Sequence, residues 1–356
     1  MMRQSRFSWA RLRDNKVFWP VVALVLILLF DALFTPGFFN IEIKEGHLFG
    51  NLIDILNRGS SLMLLAIGMT MVIATGGVDL SVGAVIAISG ATACVLINPQ
   101  LATRLRQATE MTRDITYTPM WLLILAALAV STLCGLWNGL LVSRLNIQAM
   151  VATLVLMVAG RGIAQLIVNG TIITVYYKPY FFIGNGYVFG LPFTLFIVIA
   201  VFLIAWLLTR RTAIGLFVES VGINSKSSLY SGINEKNVKL LSYTFCGLCA
   251  GIAGLILSSN VKSADANTVG LWTELDAILA VVIGGTLMTG GRFSLMASIV
   301  GALIIQATTT TMYALGVPAN AAMAVKALVV LVVILLYAEQ FRSWLTQLFE
   351  RKGVRA

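Results

Sequence analysis

Residues 120–143 read MWLLILAALAVSTLCGLWNGLLVS, an unbroken run without a charged side chain. A helix of about 20 mostly apolar residues is long enough to cross the hydrocarbon core of a bilayer. The same pattern recurs along the chain and predicts about ten spanning helices. Their ranges are 18–36, 60–75, 82–97, 120–143, 147–168, 190–209, 240–259, 274–289, 293–315 and 319–337. The spans at 60–75, 82–97 and 274–289 are short, so we expect them to extend into their flanks or to be partly re-entrant.

The composition agrees with a chain that lies mostly in lipid. Of its 356 residues, 58% are hydrophobic and 11% are charged, and the mean hydropathy is +0.91. A soluble domain holds about 25% charged residues, so this chain has too few to cover a water-facing surface. The fold class that we predict is therefore all-α, a polytopic integral membrane protein.

The positions of lysine and arginine predict the orientation. With alternating spans, 16 of these 25 residues fall on the cytoplasmic side and 7 on the outer side, and Arg161 and Lys326 lie inside spans. This bias places both termini in the cytoplasm. We expect a cytoplasmic segment over 1–17, one transmembrane domain over 18–338 and a cytoplasmic tail over 339–356. The first apolar run is too long for a signal-peptide core and has no A-x-A cleavage pattern, so it is expected to remain as a span.

Several other functions are disfavoured by the residue pattern. The net charge is +10, but the basic residues lie at the ends of apolar runs, so no nucleic-acid partner is expected. Cys246 and Cys249 form a C-x-x-C inside an apparent span without a nearby histidine, which favours small packing residues over a metal or redox site. The lone His47 cannot assemble a metal site. We expect no metal, no cofactor and no catalytic residues.

The segment 75–83 reads TGGVDLSVG and separates two apolar spans. One interpretation is an ordinary turn in which Asp79 and Ser81 cap the next helix. The other is a broken helix whose backbone and carboxylate line a transport path, since a charge at membrane depth usually faces a cavity. The pair formed by IGMT at 67–70 and TGG at 75–77 resembles IGGT at 283–286 and TGG at 289–291, which indicates either an internal repeat or a chance match.

The segment Gly76–Gly83 resembles the G-G-x-D-L-S-V-G run of permeases from bacterial importers of ribose, galactose, arabinose and xylose. The stretch from Glu274 to Arg292 is similar to a second run of that family. Three further pieces resemble the galactofuranose permease branch, namely IDILNR at 53–58, GLWNG at 135–139, and VATL to GRG at 151–162. The resemblance covers about residues 18–340.

The resemblance implies the permease subunit of an ATP-driven ABC sugar importer in the bacterial inner membrane. It would pass a monosaccharide, galactofuranose by its branch, to the cytoplasm by alternating access. The implied partners are an ATP-binding subunit with two fused ATPase halves, a periplasmic sugar-binding protein, and a second permease copy or a related permease, all within membrane lipid. The chain has no G-x-x-x-x-G-K-[ST] phosphate loop, so ATP hydrolysis would belong to the partner and the chain is not an enzyme.

Three alternatives remain open at this point. The first is an ion-coupled secondary sugar transporter, which would be expected to carry mid-span carboxylates and would not need an ATPase. The second is a permease of the same family for ribose or another pentose or hexose. A membrane-embedded enzyme is the third, and the single histidine outside the spans argues against it.

The connector 210–239 is long for this chain and is predicted to face the cytoplasm. A short helix from Ser225 to Tyr230, ended by Gly232, is predicted there. By resemblance this loop is the coupling helix that docks on the ATPase, through Gly222, Asn224, Ser227, Ser228 and Gly232. The family usually has two alanines where Ser227 and Ser228 stand, a change that weakens helix propensity. The alternative is a plain solvated loop.

A neutral sugar needs hydrogen-bonding groups more than charge, with an aromatic ring such as Trp137 as a stacking face. The candidates for the transport path are Asn57, Asp79, Ser81, Trp137, Asn138, Thr153, Arg161, Gln165, Glu274 and Asp276. Interhelical hydrogen bonding is the alternative role for most of them. The intramembrane cations Arg161 and Lys326 have a structural alternative as well, pairing with Asp79, Asp276 or Glu274.

Overall fold

The structure is a computed structural model that describes residues 17–44, 46–97, 118–318, 321, 324–328 and 331. Three sets of predictions therefore lie outside the described residues. They concern the two cytoplasmic terminal segments, most of the connector between the third and fourth predicted spans, and most of the predicted span 319–337.

Helices make up most of the described chain, which confirms the predicted helical class. In chain order they are α1 (Phe18–Phe34), α2 (Asn51–Ala74), α3 (Val82–Ile97), α4 (Met120–Ser143), α5 (Ala149–Ile167), α6 (Lys178–Asn185), α7 (Phe193–Arg211), α8 (Ile214–Ile223), α9 (Ser225–Tyr230), α10 (Glu235–Val261), α11 (Thr273–Ile283) and α12 (Leu295–Ala314). Residues 324–328 are also helical.

Six strands of two or three residues form three antiparallel pairs. They are β1 (Glu42–Lys44) with β2 (His47–Phe49), β3 (Ile173–Thr174) with β6 (Ser263–Ala264), and β4 (Tyr187–Val188) with β5 (Leu191–Pro192). The first and third pairs touch, because Leu48 N donates to Gly190 O at 3.1 Å. We call this side of the bundle, where α2 and α7 begin and α5 and α10 end, the hairpin end. The opposite side, which carries α8 and α9, is the α9 end.

Side-chain caps set the start of two long helices. Asn234 Oδ1 accepts from Asn237 N at 3.2 Å at the start of α10, and Ser294 Oγ accepts from Ala297 N at 3.3 Å at the start of α12. These bonds satisfy N–H groups that have no partner within the first helical turn. The helix α10 ends at Lys262, which has a left-handed backbone (φ 58°).

Six helices of the described chain are long and apolar enough to cross a membrane, namely α2, α4, α5, α7, α10 and α12. The predicted span 60–75 extends back to Asn51, so it is a full-length helix. The helices α1 and α3 have 17 and 16 residues. The predicted span 274–289 is helical only as far as Ile283. Several spans are thus confirmed, whereas the total of about ten is not established.

The centre of the bundle is built on close contacts between α10 and its neighbours. A Cβ added to Gly247 would lie 2.7 Å from the Cα of Gly135 in α4, and one added to Gly251 would lie 1.9 Å from Ser131 Oγ. Small residues allow this approach, which matters in lipid because apolar side chains gain little by leaving it. Burial shows that α2 lies at the centre of the bundle. In its apolar part 83% of the residues are buried, whereas in the apolar part of α4 only 22% are buried.

The helices α3 and α11 both begin midway along the bundle. Ser89 Oγ of α3 donates to Gly251 O at 2.8 Å, near the middle of α10. A Cβ on Gly83, at the start of α3, would lie 2.2 Å from Glu274 Oε2 at the start of α11. From this meeting point α3 runs to the hairpin end and α11 runs towards the α9 end. Two shorter helices, of 16 and 11 residues, therefore meet at their N-termini inside the bundle, and we call α3 and α11 the half-helices.

Candidate functional site

Asp79 lies just before α3, at the centre of a buried network. Its Oδ1 accepts from Ser81 N at 3.0 Å and from Ser81 Oγ at 2.7 Å. Asn138 of α4 donates through Nδ2 to Ser81 Oγ at 2.7 Å and to Asp79 Oδ1 at 3.3 Å. Three of the predicted path residues are thus brought together. Their exposures are 1% for Asp79 and 0% for the other two, so the network is closed to solvent in this conformation.

The turn that presents Asp79 depends on glycine and on one tyrosine. Tyr243 donates its hydroxyl to Val78 O at 3.1 Å, and its oxygen would lie 2.5 Å from a Cβ at Gly77. Gly76 has φ +79°, which favours glycine. The backbone therefore bends between α2 and α3 without a helical connection. Among the described residues, Asn138 Oδ1 has no hydrogen-bond donor although it is buried.

Arg161 and Gln165 hold the 262–272 connector, which returns from the end of α10 to the middle of the bundle. Arg161 Nη1 donates to Ala266 O at 3.0 Å and to Val269 O at 2.6 Å. Gln165 Nε2 donates to Asn267 Oδ1 at 2.6 Å. These bonds bind the connector to α5, so the partners of Arg161 are carbonyl oxygens. The carboxylate of Glu274 also attracts Arg161.

The outer turn of this connector is held by Asp265. Its carboxylate accepts from Thr268 Oγ1 at 2.5 Å and from Asn267 N at 2.9 Å. The hydrogen bond from Thr268, followed by those from the backbone, holds the pKa of Asp265 below its ordinary value despite an opposing effect of burial. The negative charge of this residue is thus built into the local fold.

The two acidic residues at the start of α11 have different surroundings. Glu274 is buried, with 2% exposure, against Gly83 at the meeting point of the half-helices. Asp276 forms an ion pair with Lys326, which lies in the helical stretch 324–328. This pair agrees with the structural alternative for Lys326, since it ties α11 to the last described helical residues.

The remaining path candidates lie apart from one another. Thr153 is fully buried and donates to Ala149 O of its own helix at 2.9 Å. Trp137 is 54% exposed on the outside of α4, away from the buried network. Asn57 accepts through Oδ1 from Thr194 Oγ1 at 2.8 Å and lines a cavity at the hairpin end.

That cavity has a volume of about 560 Å³. It lies between the first turns of α2 and the last turns of α10 and α12. The contribution of α2 is entirely polar and consists of Asn51, Asp54, Asn57, Arg58 and Ser61. The cavity lies at the hairpin end, opposite to α9.

The predicted short helix over 225–230 is present as α9. Asn224 Oδ1 accepts from Ser227 N at 3.0 Å and caps it, and Ser228 is buried at its base. Gly232 has φ +82° and follows the end of the helix, as predicted. Leu229 and Tyr230 are exposed, by 62% and 91%. The helix therefore presents an apolar tip.

Gly222 joins the α8–α9 segment to the rest of the bundle. A Cβ at this position would lie 1.9 Å from Ala74 O and 2.4 Å from Gly291 N. Gly291 N donates to Ala74 O at 2.9 Å, and a Cβ on Gly290 would lie 2.8 Å from Gly76 N. The two similar TGG sequences thus meet at the α9 end, directly beside the predicted coupling segment.

Some polar contacts in the core involve residues that were not among the candidates. Asp31 of α1 is fully buried and accepts from Thr311 Oγ1 at 2.9 Å. Tyr180 hydrogen-bonds Ser258 at 2.5 Å between their hydroxyls. The run of four threonines at 308–311, inside an otherwise apolar helix, is the sequence signal that marks a polar turn of α12.

The four cysteines and the acidic residues of the described chain are dispersed. No group of three His, Cys, Asp or Glu side chains there is placed to hold an ion. All four cysteines are free thiols. Gly68 of α2 packs against Cys246 and Cys249, whose atoms would lie 3.0 Å from an added Cβ. The C-x-x-C thus serves close helix packing.

Comparison with known proteins identifies the class of the protein. Residues 51–335 match the family described as the permease component of the branched-chain amino acid transport system. The chain belongs to this permease family. It is a non-enzymatic component of an ABC importer and a multi-pass protein of the inner membrane. Such permeases work with ATP-binding and binding-protein partners.

Three relatives narrow the comparison. The galactofuranose transporter permease protein of Escherichia coli is 46% identical over 95% of this chain and 94% of its own length. A fructose import permease protein of Bifidobacterium longum is 35% identical over 97% of this chain and 94% of its length. A ribose import permease protein of Haemophilus influenzae is 34% identical over 88% and 90%. No solved structure matches the chain significantly.

Proposed function

We propose that this chain is the permease subunit of an ATP-driven importer that passes galactofuranose to the cytoplasm by alternating access. The observation that carries the proposal is the 46% identity, over 95% of the chain, to a galactofuranose transporter permease. The other relatives named here are permeases for fructose and ribose, which supports a monosaccharide as the substrate class. An ion-coupled mechanism is not favoured by these relatives.

The proposed topology has about ten spans with both termini in the cytoplasm. The permease domain occupies 18–338, between cytoplasmic segments at 1–17 and 339–356. The hairpin end faces the periplasm, and the coupling loop 210–239 faces the cytoplasm. This orientation is supported by the bias of lysine and arginine along the sequence. It also places the polar cavity outside and α9 inside.

The proposed complex has three kinds of partner. An ATP-binding subunit with two fused ATPase halves docks on the cytoplasmic face, and a periplasmic sugar-binding protein docks on the hairpin end. A second permease copy or a related permease completes the membrane part. The exposed apolar side of α4, including Trp121, Leu125, Leu133 and Trp137, faces lipid or that second permease.

We place the coupling contact at α9. Gly222, Asn224, Ser227, Ser228 and Gly232 form or flank this helix, and its exposed tip is suited to a groove on the ATPase. The contact of Gly222 with Ala74 and Gly291 supports a direct mechanical route. Movement of α9 would shift the end of α2 and the segment after α11 together, and both lead to the half-helix meeting point.

A single charge at the end of α9 tests this coupling contact. Gly232→Asp should leave the permease folded, because an added Cβ meets nothing within 4 Å and aspartate tolerates a left-handed backbone. It should abolish ATP-dependent uptake while hydrolysis continues. The matched control is Gly170→Asp, which has φ +67° and similar open space at the hairpin end. Normal coupled uptake by Gly232→Asp would refute the placement.

The proposed transport path passes the meeting point of α3 and α11. Asp79, Ser81 and Asn138 lie there, and the unpartnered Oδ1 of Asn138 could accept a sugar hydroxyl once the helices separate. Glu274, Arg161 and Gln165 would control access, because they position α11 and the 262–272 connector. Asn57 lies at the entrance. Trp137, Thr153 and Asp276 are also proposed as residues of the transport path, although they lie outside this network.

The sugar is tested by uptake into vesicles that contain the chain, its candidate ATPase, the second permease and the binding protein. Radiolabelled galactofuranose and ribose are supplied separately, with and without ATP. We expect ATP-dependent uptake of galactofuranose alone. Uptake of ribose instead would keep the family and replace the substrate.

A further inference from the structure

The cavity at the hairpin end has the size and the lining of a small-molecule site. Its volume of about 560 Å³ lies within the usual range for ligand pockets. Its polar wall comes from two helices that are in contact, because a Cβ on Gly59 of α2 would lie 3.2 Å from Gln306 Cγ of α12. The glycine allows the Gln306 side chain to cross α2 and form part of the wall.

Two hydroxyl groups of the wall, those of Thr309 and Ser61, donate their protons within their own helices and so can act towards a ligand as acceptors. Thr309 Oγ1 donates to Ile305 O at 2.9 Å, and Ser61 Oγ donates to Arg58 O at 3.3 Å. The protons of these two hydroxyls are directed at backbone carbonyls, which leaves their oxygen lone pairs for a ligand. The amide of Asn57 is the complement. Its Oδ1 accepts from Thr194, so its N–H donors are turned away from that residue.

The charges of the cavity balance. Asp54 and Arg58 are one helical turn apart on α2, at a spacing where opposite charges attract. The rest of the polar lining consists of amides and hydroxyls, including Gln306 and Thr310. The wall from α10 is mostly apolar, with Ile256, Leu257 and Val261 beside one amide, Asn260. A ligand that suits this cavity is neutral, carries several hydroxyl groups and has an apolar C–H face.

We infer that this cavity binds a monosaccharide directly, as a site on the permease before the buried network at Asp79. The inference rests on the proposed function, because it assigns the substrate of the same importer to a defined place. It also implies that the permease has affinity for sugar without the binding protein. Donors and acceptors on Asn57, Thr309 and Gln306 would bond the hydroxyls, and Ile256 would contact the ring face.

The test measures protection of a cysteine in the cavity. Thr310→Cys is made in a Cys134→Ser background, because the other three cysteines are buried. The complex of permease and ATPase is placed in nanodiscs, without the binding protein, and labelled with a water-soluble maleimide. The probes are D-galactose, D-ribose and, as a comparison, L-leucine. Thr171→Cys, exposed at the same end but outside the cavity, is the matched control.

We expect one of the sugars to slow labelling of the cysteine at position 310 by about tenfold at saturation. L-Leucine should not slow it, and labelling at position 171 should be unchanged by every probe. Adding Gln306→Ala should remove the protection. If Thr310→Cys fails to fold, Thr309→Cys reports on the same wall.

Two results would overturn the inference. One is an equal labelling rate with and without sugar, and the other is protection by L-leucine in place of sugar. Uptake by the complete wild-type importer distinguishes a failure of the cavity site from a failure of the proposed function. ATP-driven sugar uptake without protection would reject the cavity site and leave the proposed function intact. Protection without uptake would support the cavity and reject the proposed function.

Discussion

At the α9 end the backbones of three segments touch, with Gly222, Ala74 and Gly291 packed so closely that a single methyl group has no room. At the hairpin end the helices α2, α10 and α12 line a cavity of about 560 Å³ with many polar side chains. A dense junction transmits displacement, because closely packed atoms cannot be compressed. An open polar cavity admits a ligand. On the proposed function, force from the ATPase would enter at the α9 end and substrate would enter at the hairpin end.

The largest effect on stability is expected from one methyl group added at the dense junction. Gly222→Ala should destabilise the folded permease by about 3 kcal/mol, because the new Cβ would overlap Ala74 O and Gly291 N. Thermal unfolding of the purified protein measures the loss. Gly162→Ala is the control, since an added Cβ there meets nothing within 4 Å. Equal melting temperatures for Gly222→Ala and the wild type would show that the junction is loose.

The second prediction concerns the buried network between the two ends. Asp79→Ala should lower the free energy of unfolding by about 2 kcal/mol, because the donors of Ser81 and Asn138 would lose their shared acceptor. Asp79→Asn should lower the free energy of unfolding by less, because its amide oxygen can still accept a hydrogen bond. Chemical unfolding of the three proteins in the same detergent provides the comparison. If Asp79→Asn were the more harmful change, the negative charge itself would be essential to the fold.

A local effect is expected at the 262–272 connector. Arg161→Met removes two hydrogen bonds from a charged donor, so amide exchange in this connector should accelerate by at least about tenfold. Hydrogen–deuterium exchange with mass spectrometry resolves the segment. Arg144→Met, which removes an exposed bond to Asn237 at the α9 end, should leave exchange in the connector unchanged. An unchanged connector in Arg161→Met would contradict its anchoring role.

The smallest effect is a dependence on pH at Asp265. The pKa of Asp265 is lowered in the folded protein, so its carboxylate stabilises the turn above the ordinary pKa of aspartate. This contribution is lost as the pH falls through the lowered folded pKa. The protection of amides around Asn267, expressed relative to their intrinsic exchange rate at each pH, should therefore fall in acid. Asp265→Asn should remove the pH dependence, and the same acid response in that variant would assign it to another group.

The sequence predicts the apolar helices well and the polar ends of helices poorly. The range 120–143 is the same in the prediction and in α4, because the apolar run has polar residues at both sides. The predicted span 60–75 begins nine residues after the true start of α2. The missing turns contain Asp54, Asn57 and Arg58. In the sequence these polar residues are typical of a solvent-exposed loop, whereas in the structure they line the cavity. Likewise α11 ends before Gly284, where the prediction continued.

The sequence indicates which residues are candidates for the site but not which of them are in contact. Asp79, Ser81 and Asn138 are all candidates from the sequence, yet nothing in a single sequence shows that residues 59 positions apart are hydrogen-bonded. Arg161 was chosen for its charge at membrane depth, and its carbonyl partners become visible only once the 262–272 connector returns into the bundle. Gln306 and Thr309 were missed, since isolated polar residues on an apolar helix usually serve interhelical bonds.

The energy source of transport distinguishes an ATP-driven permease from an ion-coupled transporter. Vesicles containing the chain with its candidate ATPase, second permease and binding protein are loaded with ATP, and sugar uptake and ATP hydrolysis are measured together. We predict uptake that requires ATP and the ATPase and that continues when an uncoupler abolishes the proton gradient. Uptake driven by a proton gradient alone, without the ATPase, would contradict the assignment of this chain as the permease of an ATP-driven sugar importer.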